Sequence, residues 1–370
     1  MSLVIASSAL TWLLLRPDPG TKAGTPPLVS SVDPLADLPK PATVPEWGEL
    51  VERNIQLERP DEYTGFELEA RLVADWKFPG ADREQARALM ESCGVPAAAS
   101  ERALSPAMVT EKPDGLVVHP DEALIVSVPG AARAKLYAEL GRRNGIPQPV
   151  IPFSFSTKDF LATLESSGLP PATQTMIRNL SYVQGDRTSF SDLGFVLQRL
   201  ATDEERMNVA RVLSRISAVL VRLRVRPDSD IDKIVAYWSS VPGVRSKDVR
   251  PLLESVRRAD GTISLTYLLP SFARERLYTF PLTTKAGGAD SDCHWTTMNF
   301  FNETPDDRFS NVDFTSRYIT ENYYPIARPG KYGDLVFVLD KNGGANHSAV
   351  FLAGDIVFTK NGQSFGQPWL

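Results

Sequence analysis

Residues 333–359, GDLVFVLDKNGGANHSAVFLAGDIVFT, decide the fold of the C-terminal part of this chain. Three apolar runs rich in β-branched residues alternate here with turns rich in Gly, Asn and Asp; the runs are 335–339, 347–352 and 356–359. Asn342-Gly343 is a strong hairpin signal, and Gly354-Asp355 marks a second turn. The stretch therefore predicts three consecutive antiparallel strands, with His347 at the start of the middle one.

A short helix is predicted upstream of these strands, in the segment SDCHWTTMNFF at 291–301. Ser291 or Asp292 can cap it, which places Cys293 in its first turn. The free backbone N–H groups and the helix dipole at that position stabilise a thiolate, the nucleophilic form of cysteine. A cysteine near a helix start is by itself more often a packed thiol, so the downstream histidine carries the argument.

The arrangement resembles the NlpC/P60 superfamily of papain-like cysteine peptidases and amidases. The matching residues are Asp292-Cys293, then Gly333-Asp334 with the strand that follows, and then His347 opening a strand that ends in a Gly-Asp turn. Their order along the chain is that of the family. The resemblance covers residues 275–370, about a quarter of the chain.

The resemblance implies a role for each matched residue. Cys293 is expected to be the nucleophile, and His347 to take its proton and return it to the leaving amine. Thr359 stands where the family usually has His, Asn or Gln as the third, orienting residue, and Asn361 is a competing candidate. Tyr278 is matched to a tyrosine that precedes the family's Asp-Cys.

The chain departs from the family pattern directly after the cysteine. The family commonly has Ser-Gly there, whereas this chain has His294-Trp295, a bulky pair that we expect to line the cleft and contact substrate. Adjacent side chains on a helix diverge by about 100°, so His294 is not expected to serve as the base for Cys293.

The N-terminal sequence is typical of proteins that work outside the cytoplasm. Residues 3–15, LVIASSALTWLLL, are uncharged, too short for a membrane-spanning helix of ~20 residues, and similar to the apolar region of a signal peptide. A buried N-terminal helix is the alternative. The proline-rich residues 17–46 predict an extended linker. We expect an extracytoplasmic protein, in the periplasm or cell envelope, either released or tethered to the membrane through 3–15.

The predicted fold class is α+β, with a C-terminal papain-like module preceded by a mainly helical domain. Five segments follow from the sequence, in order 1–16 (signal-like), 17–46 (linker), 47–155 (mixed α/β, of unknown role), 156–260 (helical) and 261–370 (cysteine hydrolase). Within them, apolar residues at three- and four-residue steps predict a long helix at 204–225. Residues 115–119 and 123–128 are predicted to form a pair of strands.

Composition narrows the classes of partner. With 40 basic and 45 acidic residues the net charge is −5, which argues against nucleic acid. Two cysteines and three dispersed histidines predict no metal site, and no nucleotide fingerprint occurs, so no cofactor is expected. A disulfide between Cys93 and Cys293 in an oxidising compartment is a further alternative, and it would make Cys293 structural.

Two functions remain. The first is an exported cysteine hydrolase, a thiol peptidase or amidase, that cleaves an amide bond in a peptide or in peptidoglycan; cell-wall peptide is the substrate that the resemblance implies. The second is a catalytically silent papain-like module that binds wall peptides or a protein partner. The first requires Cys293 and His347, and both are present.

Overall fold

The computed structural model describes residues 11–17, 45–64, 75–144, 152–281, 291–328 and 330–370. Helices and strands both make up large parts of these ranges, which confirms the predicted α+β class. Residues 1–10 of the apolar segment and residues 18–44 of the predicted linker lie outside the described residues.

The bounds of the regular elements, in chain order, are as follows. The strands are β1 (Thr11–Pro17), β2 (Glu49–Leu57), β3 (Trp76–Pro79), β4 (Val109–Lys112), β5 (Gly115–Val118), β6 (Phe153–Ser156), β7 (Tyr182–Gln184), β8 (Arg187–Phe190), β9 (Ile216–Val225), β10 (Gly261–Ser264), β11 (Tyr323–Ile326), β12 (Leu335–Leu339), β13 (Ala345–Ala353) and β14 (Ile356–Phe358). The helices are α1 (Arg83–Ser92), α2 (Ala97–Ala103), α3 (Glu122–Ser127), α4 (Gly130–Arg143), α5 (Thr157–Glu165), α6 (Pro171–Leu180), α7 (Leu193–Leu197), α8 (Asp203–Ser214), α9 (Ile231–Trp238), α10 (Ser246–Arg258), α11 (Ser271–Arg276), α12 (Cys293–Asn299) and α13 (Val312–Asn322).

The chain divides into two compact units, each with its own hydrophobic core. One unit is Glu58–Ile216, and the other combines Met1–Leu57 with Ser217–Leu370. These limits differ from the segment boundaries predicted from the sequence. The chain enters the first unit at residue 58 and returns from it at residue 216, so the second unit is built from two separate stretches of sequence.

The first unit contains two small antiparallel sheets, β3-β5-β4 and β6-β8-β7, packed with helices. The predicted strand at 115–119 is present as β5. The prediction of a partner strand at 123–128 is wrong, because Glu122–Ser127 forms helix α3. The carboxylate of Asp121 accepts a hydrogen bond from the backbone N–H of Leu124 at 2.7 Å, and this cap starts the helix despite the β-branched residues.

The long helix predicted at 204–225 is also wrong in its second half. Helix α8 ends at Ser214, and Ile216–Val225 is strand β9, antiparallel to β10. Val221, Leu223 and Val225 are buried and alternate with two arginines, which is the period of a strand. Apolar residues recur at three- and four-residue steps in α8 and also in β9. The spacing of apolar residues therefore does not reveal where the helix ends and the strand begins.

The second unit is organised around a five-stranded sheet of order β11-β1-β12-β13-β14, with every neighbouring pair antiparallel. The three strands predicted at the C-terminus are confirmed as β12, β13 and β14. The turn between β12 and β13 is held by Asp340, whose carboxylate accepts hydrogen bonds from the backbone N–H groups of Asn342 and Gly344 at 2.8 and 2.9 Å. Gly343 there has a φ of +82°, as the predicted hairpin requires.

Strand β1 comes from the N-terminal apolar segment. It pairs with β11 along one edge and with β12 along the other. A buried N-terminal helix, the alternative considered for this segment, is therefore wrong for residues 11–17.

Helix α12 packs on the sheet beside β13. Three of its core neighbours, Val350, Leu352 and Phe358, come from β13 and β14 and are buried together with Trp295 and Met298 of the helix. This packing fixes the start of α12 relative to the strand that carries His347.

Candidate active site

Cys293 is the first residue of α12, as predicted. Of the two candidate caps, Asp292 is the one that acts, because its carboxylate accepts a hydrogen bond from the backbone N–H of Trp295 at 2.8 Å. The thiol is buried, with 5% of Cys293 exposed. Since the first backbone N–H groups of a helix have no partner within it, the N–H of Cys293 remains available to an oxygen atom of a ligand.

Trp295 belongs to the core and not to an open cleft. Its ring packs on Phe272 with 5.4 Å between centroids, and its indole N–H donates to Asp307 at 3.3 Å. Only 7% of the residue is exposed. The expectation that Trp295 contacts substrate is therefore not supported by its position, and its role in the structure is to anchor α12.

A buried polar contact joins α12 to β13. The hydroxyl of Ser348 donates to the hydroxyl oxygen of Thr297 at 3.0 Å, and it also lies 2.9 Å from Nδ1 of His294. Cys293 precedes Thr297 by four residues, so the two side chains share one face of the helix. This places the thiol on the face that packs against the strand of His347.

His347 is oriented by Thr359. The hydroxyl of Thr359 donates its proton to the backbone carbonyl oxygen of Ser348 at 2.8 Å, and its oxygen lies 3.1 Å from Nε2 of His347. A hydroxyl has one proton, so the oxygen of Thr359 accepts from Nε2–H. We therefore place a proton on Nε2, which leaves Nδ1 as the nitrogen that can act as a base.

The thiol and the imidazole are not hydrogen-bonded to each other. Within the described residues, neither Sγ of Cys293 nor Nδ1 of His347 has a hydrogen-bond partner. Catalytic hydrogen bonds are often long without substrate and shorten when it binds. Cys293 and His347 thus lie on adjacent elements, α12 and β13, and neither Sγ nor Nδ1 is occupied by another hydrogen bond.

The other two catalytic candidates make no hydrogen bond to Cys293 or His347 within the described residues. Asn361 is exposed and makes no hydrogen bond to His347, so Thr359 is the residue that orients the ring. The hydroxyl of Tyr278 donates to the carbonyl oxygen of Val219 in β9 at 2.7 Å, and burial raises the pKa of Tyr278. That hydroxyl is committed to the backbone and does not contact the cysteine.

The ring of His294 is held against β12 and β13. Its Nε2 lies 3.2 Å from the carbonyl oxygen of Ala345, and its Nδ1 faces the hydroxyl of Ser348. Its ring stacks on Phe337 with 6.0 Å between centroids. With both nitrogens engaged, the ring is fixed in place.

The Gly333-Asp334 pair of the family pattern shapes the entry to β12. Gly333 has a φ of +93°, and a Cβ there would lie 2.7 Å from the Phe301 ring. The buried carboxylate of Asp334 accepts hydrogen bonds from the backbone N–H groups of Gly330 and Lys331 at 2.8 and 2.9 Å. Both residues serve the fold of the loop.

Lys360 is the residue that sequence reasoning missed. It follows Thr359, is fully buried, and donates hydrogen bonds from Nζ to the carbonyl oxygens of Gly362 and Ser364 at 2.6 and 3.2 Å. Burial lowers its pKa to about 8, while the negative charges of Asp292 and Cys293 act in the opposite direction. The only sequence signal was a charged residue directly after a predicted buried strand.

Both cysteines are free thiols, so the alternative of a Cys93–Cys293 disulfide is wrong. In the described ranges no three His, Cys, Asp or Glu side chains come together as a metal site. Among the helices of those same ranges, none has the length and apolarity to cross a membrane.

Comparison with protein-family models, with curated proteins and with solved structures finds no match to this chain.

Proposed function

We propose that the C-terminal module is a papain-like cysteine hydrolase of the NlpC/P60 type, with Cys293 as nucleophile and His347 as general base. The observation that carries the proposal is the hydrogen bond from Nε2–H of His347 to Thr359, which leaves Nδ1 as the proton acceptor. An imidazole in a fixed tautomer, on a strand packed against the helix that begins with a cysteine, is the arrangement that thiol-based acyl transfer needs.

The chemistry proceeds in two halves. Nδ1 of His347 takes the proton of Cys293, and the thiolate sulfur attacks the carbonyl carbon of an amide. The backbone N–H of Cys293 donates to the oxyanion that forms. When the C–N bond breaks, the imidazolium returns its proton to the leaving amine, and a thioester remains. Water, deprotonated by the same imidazole, then releases the carboxylic acid and restores the thiol.

Cell-wall peptide is the substrate that we propose, on the resemblance of the module to NlpC/P60 enzymes. The proposal places the protein outside the cytoplasm, because residues 3–15 are similar to an export signal and residues 17–46 to a linker. Strand β1 adds a constraint: residues 11–17 pair with two neighbouring strands. We therefore propose that this segment stays with the exported chain, with or without attachment to the membrane.

A second candidate is a catalytically silent module that binds wall peptides or a protein partner. Two observations favour it: Cys293 is almost fully buried, and its sulfur has no hydrogen bond to His347. In this reading the buried thiol is a packing residue, and the surface around His294 serves only to bind.

Purified muropeptides distinguish the two candidates. The full chain, Cys293→Ala, His347→Gln and Cys93→Ala are incubated with them, and products are followed by mass spectrometry. Cys93→Ala is the matched control, because Cys93 is also a buried free thiol but lies in the other unit. The hydrolase predicts product with the wild type and the control only.

Equal inactivity of all four proteins, together with retained binding of muropeptides, contradicts the hydrolase and supports the binding module. Product formation by Cys293→Ala at the wild-type rate contradicts the assignment of the nucleophile.

A further inference from the structure

A second histidine with two hydrogen-bonded neighbours lies in the first unit. Nδ1 of His119 is 2.9 Å from Oδ1 of Asp75, and Nε2 of the same ring is 2.9 Å from the hydroxyl oxygen of Thr110. An ionised carboxylate only accepts hydrogen bonds, so in the neutral imidazole Nδ1 carries the proton and Nε2 accepts from the hydroxyl. Carboxylate, imidazole and hydroxyl thus stand in the order of a Ser-His-Asp triad, with threonine in place of serine.

The register of one small sheet brings the three side chains together. Asp75 directly precedes β3, Thr110 lies in β4 and His119 directly follows β5. Strand β5 is the middle strand and is antiparallel to both neighbours, so its end meets the beginnings of β3 and β4. The backbone N–H of His119 donates to the carbonyl oxygen of Met108 at 2.7 Å, which extends the pairing up to the imidazole. Regular strands therefore hold all three residues.

The triad of Asp75, His119 and Thr110 is open to solvent. The side chain of His119 is 49% exposed and that of Asp75 34%, and Thr110 is exposed as well. An exposed ion pair contributes at most about 1 kcal/mol, so these contacts add little to the stability of the sheet. A dissolved reagent can reach the hydroxyl while the imidazole is in place to take its proton. A hydroxyl beside a general base is the arrangement of an activated nucleophile.

Thr110 lies on an edge strand, which leaves a backbone donor beside it. Among the described strands, β4 has a neighbour only on the side of β5. Residue pairs that exchange hydrogen bonds alternate along an antiparallel ladder, and the bond between Met108 and His119 assigns Thr110 and Val117 to the next such pair. The N–H of Glu111 therefore points away from β5, toward the open edge. A backbone N–H next to the nucleophile can donate to the oxyanion of an acyl transfer.

We propose that this triad is a second nucleophilic site, which cleaves carboxylic esters. Nε2 of His119 takes the hydroxyl proton while Oγ1 of Thr110 bonds to the ester carbonyl carbon. The bond to the leaving oxygen then breaks, the imidazolium gives its proton to that oxygen, and an acyl-threonine remains. Water, deprotonated by the same imidazole, attacks the acyl carbon. The bond to Oγ1 breaks, Oγ1 regains the proton from the imidazolium, and the carboxylic acid leaves.

Esters suit this site better than amides. An alkoxide leaves with less help from a general acid than an amine does, and a site open to water offers limited help. Asp75 does not meet the substrate; it is a positioning residue that holds Nδ1–H and stabilises the imidazolium. The triad belongs to the first unit and Cys293 to the second, so this activity goes beyond the cysteine hydrolase and does not depend on it.

The test uses the full chain with Cys293→Ala in every sample, so that the thiol of Cys293 cannot contribute. Release of nitrophenolate from p-nitrophenyl acetate measures ester cleavage, and diisopropyl fluorophosphate followed by peptide mass spectrometry locates the reactive hydroxyl. The variants are Thr110→Val, Thr110→Ser, His119→Gln and Asp75→Asn. Thr175→Val is the matched control, because Thr175 is also exposed in the first unit but its hydroxyl donates to a backbone carbonyl oxygen.

We expect the fluorophosphate adduct at residue 110, and nitrophenolate release at least about tenfold slower with Thr110→Val and His119→Gln. Thr110→Ser and Thr175→Val should stay within about threefold of the parent chain. Asp75→Asn should lower the maximal rate about tenfold and leave the KM for the ester unchanged, because it disturbs the imidazole and not a substrate contact. Absence of the adduct at residue 110, or equal release by the parent chain, Thr110→Val and His119→Gln, overturns the proposal.

The two hypotheses fail separately. Ester cleavage that depends on Thr110 in a chain without Cys293 supports the triad even if muropeptides are not cleaved. Muropeptide cleavage that depends on Cys293 supports the cysteine hydrolase even if no adduct forms at Thr110, and in that case the triad is refuted.

Discussion

Nε2 of His347 lies 3.1 Å from the hydroxyl oxygen of Thr359, and that hydroxyl donates to the carbonyl oxygen of Ser348. One small side chain thus fixes both the tautomer and the orientation of the imidazole. The amide or imidazole usual in the family at this position accepts in the same way, so the threonine is a functional replacement in the proposed mechanism.

Replacing Thr359 with valine should lower the rate of muropeptide hydrolysis about a hundredfold, because the isosteric side chain has no oxygen to accept from His347. Thr359→Ser keeps the hydroxyl and should stay within about threefold of the wild type. Asn361→Ala is the matched control, since Asn361 is exposed and does not contact the ring. Initial rates at saturating substrate measure the effect. A wild-type rate for Thr359→Val, or a large loss for Asn361→Ala, would reverse the assignment.

The stability of the second unit should depend on pH through Lys360. Its pKa in the folded protein is lowered to about 8 from an ordinary 10.5, mainly by burial. Between these values the unfolded chain binds the proton and the folded chain does not, so stability rises with pH across this window. The melting temperature of the wild type relative to Lys360→Met should therefore increase from pH 8 to 10.5. If the difference in melting temperature between the wild type and Lys360→Met stays constant from pH 8 to 10.5, the lowered pKa of Lys360 is contradicted.

Gly333→Ala should destabilise the second unit more than Gly343→Ala. Both glycines have a positive φ, which costs an alanine about 1 kcal/mol. At Gly333 the added Cβ also lies 2.7 Å from the Phe301 ring, whereas no atom lies within 4 Å at Gly343. Urea denaturation of the two variants measures the difference. If both variants lose the same free energy of unfolding, the close contact with Phe301 adds nothing to the cost of Gly333→Ala.

Removing Asp192 should destabilise the first unit by about 3–5 kcal/mol, because it leaves the buried guanidinium of Arg133 without its ion pair. The two groups are 3.0 Å apart, and both side chains are nearly inaccessible to water. Tyr137 also donates to this carboxylate. Glu139→Ala, which removes a half-buried acidic partner of the exposed Arg142 in the same unit, is the control and should change stability little. Urea denaturation checks both.

Deleting residues 1–17 should lower the melting temperature of the full chain by about 10 °C. The deletion removes a strand bonded on both edges, and several backbone hydrogen bonds at about 1 kcal/mol each correspond to that shift. A chain lacking only residues 1–10 keeps the paired residues and is the control. Equal melting temperatures for the two truncations would show that β1 adds no stability. Intact mass of the exported protein tests whether residues 11–17 are retained.

Local patterns were sufficient for much of the C-terminal module. The hairpin at Asn342-Gly343, the helix cap at Asp292 and the three strands β12, β13 and β14 were all predicted correctly. Each of these features depends on residues that are close in sequence. The patterns gave a wrong prediction where the same spacing of apolar residues fits both a helix and a strand. Ile216–Val225 continues the apolar steps of a helix yet pairs as a strand, because β10 offers it a partner from another part of the chain.

The sequence by itself determined the α+β class, the order of Cys293, His347 and Thr359, and the elements that carry them, because caps, turns and apolar periods act over a few residues. Only the tertiary structure decided that Thr359 rather than Asn361 meets the imidazole, that Trp295 is buried, and that the charged side chain of Lys360 is buried as well. It also assigned residues 11–17 to a sheet whose other strands begin more than 300 residues later. These are contacts between distant segments, and their partners are set by which buried surfaces and hydrogen-bonding edges fit together.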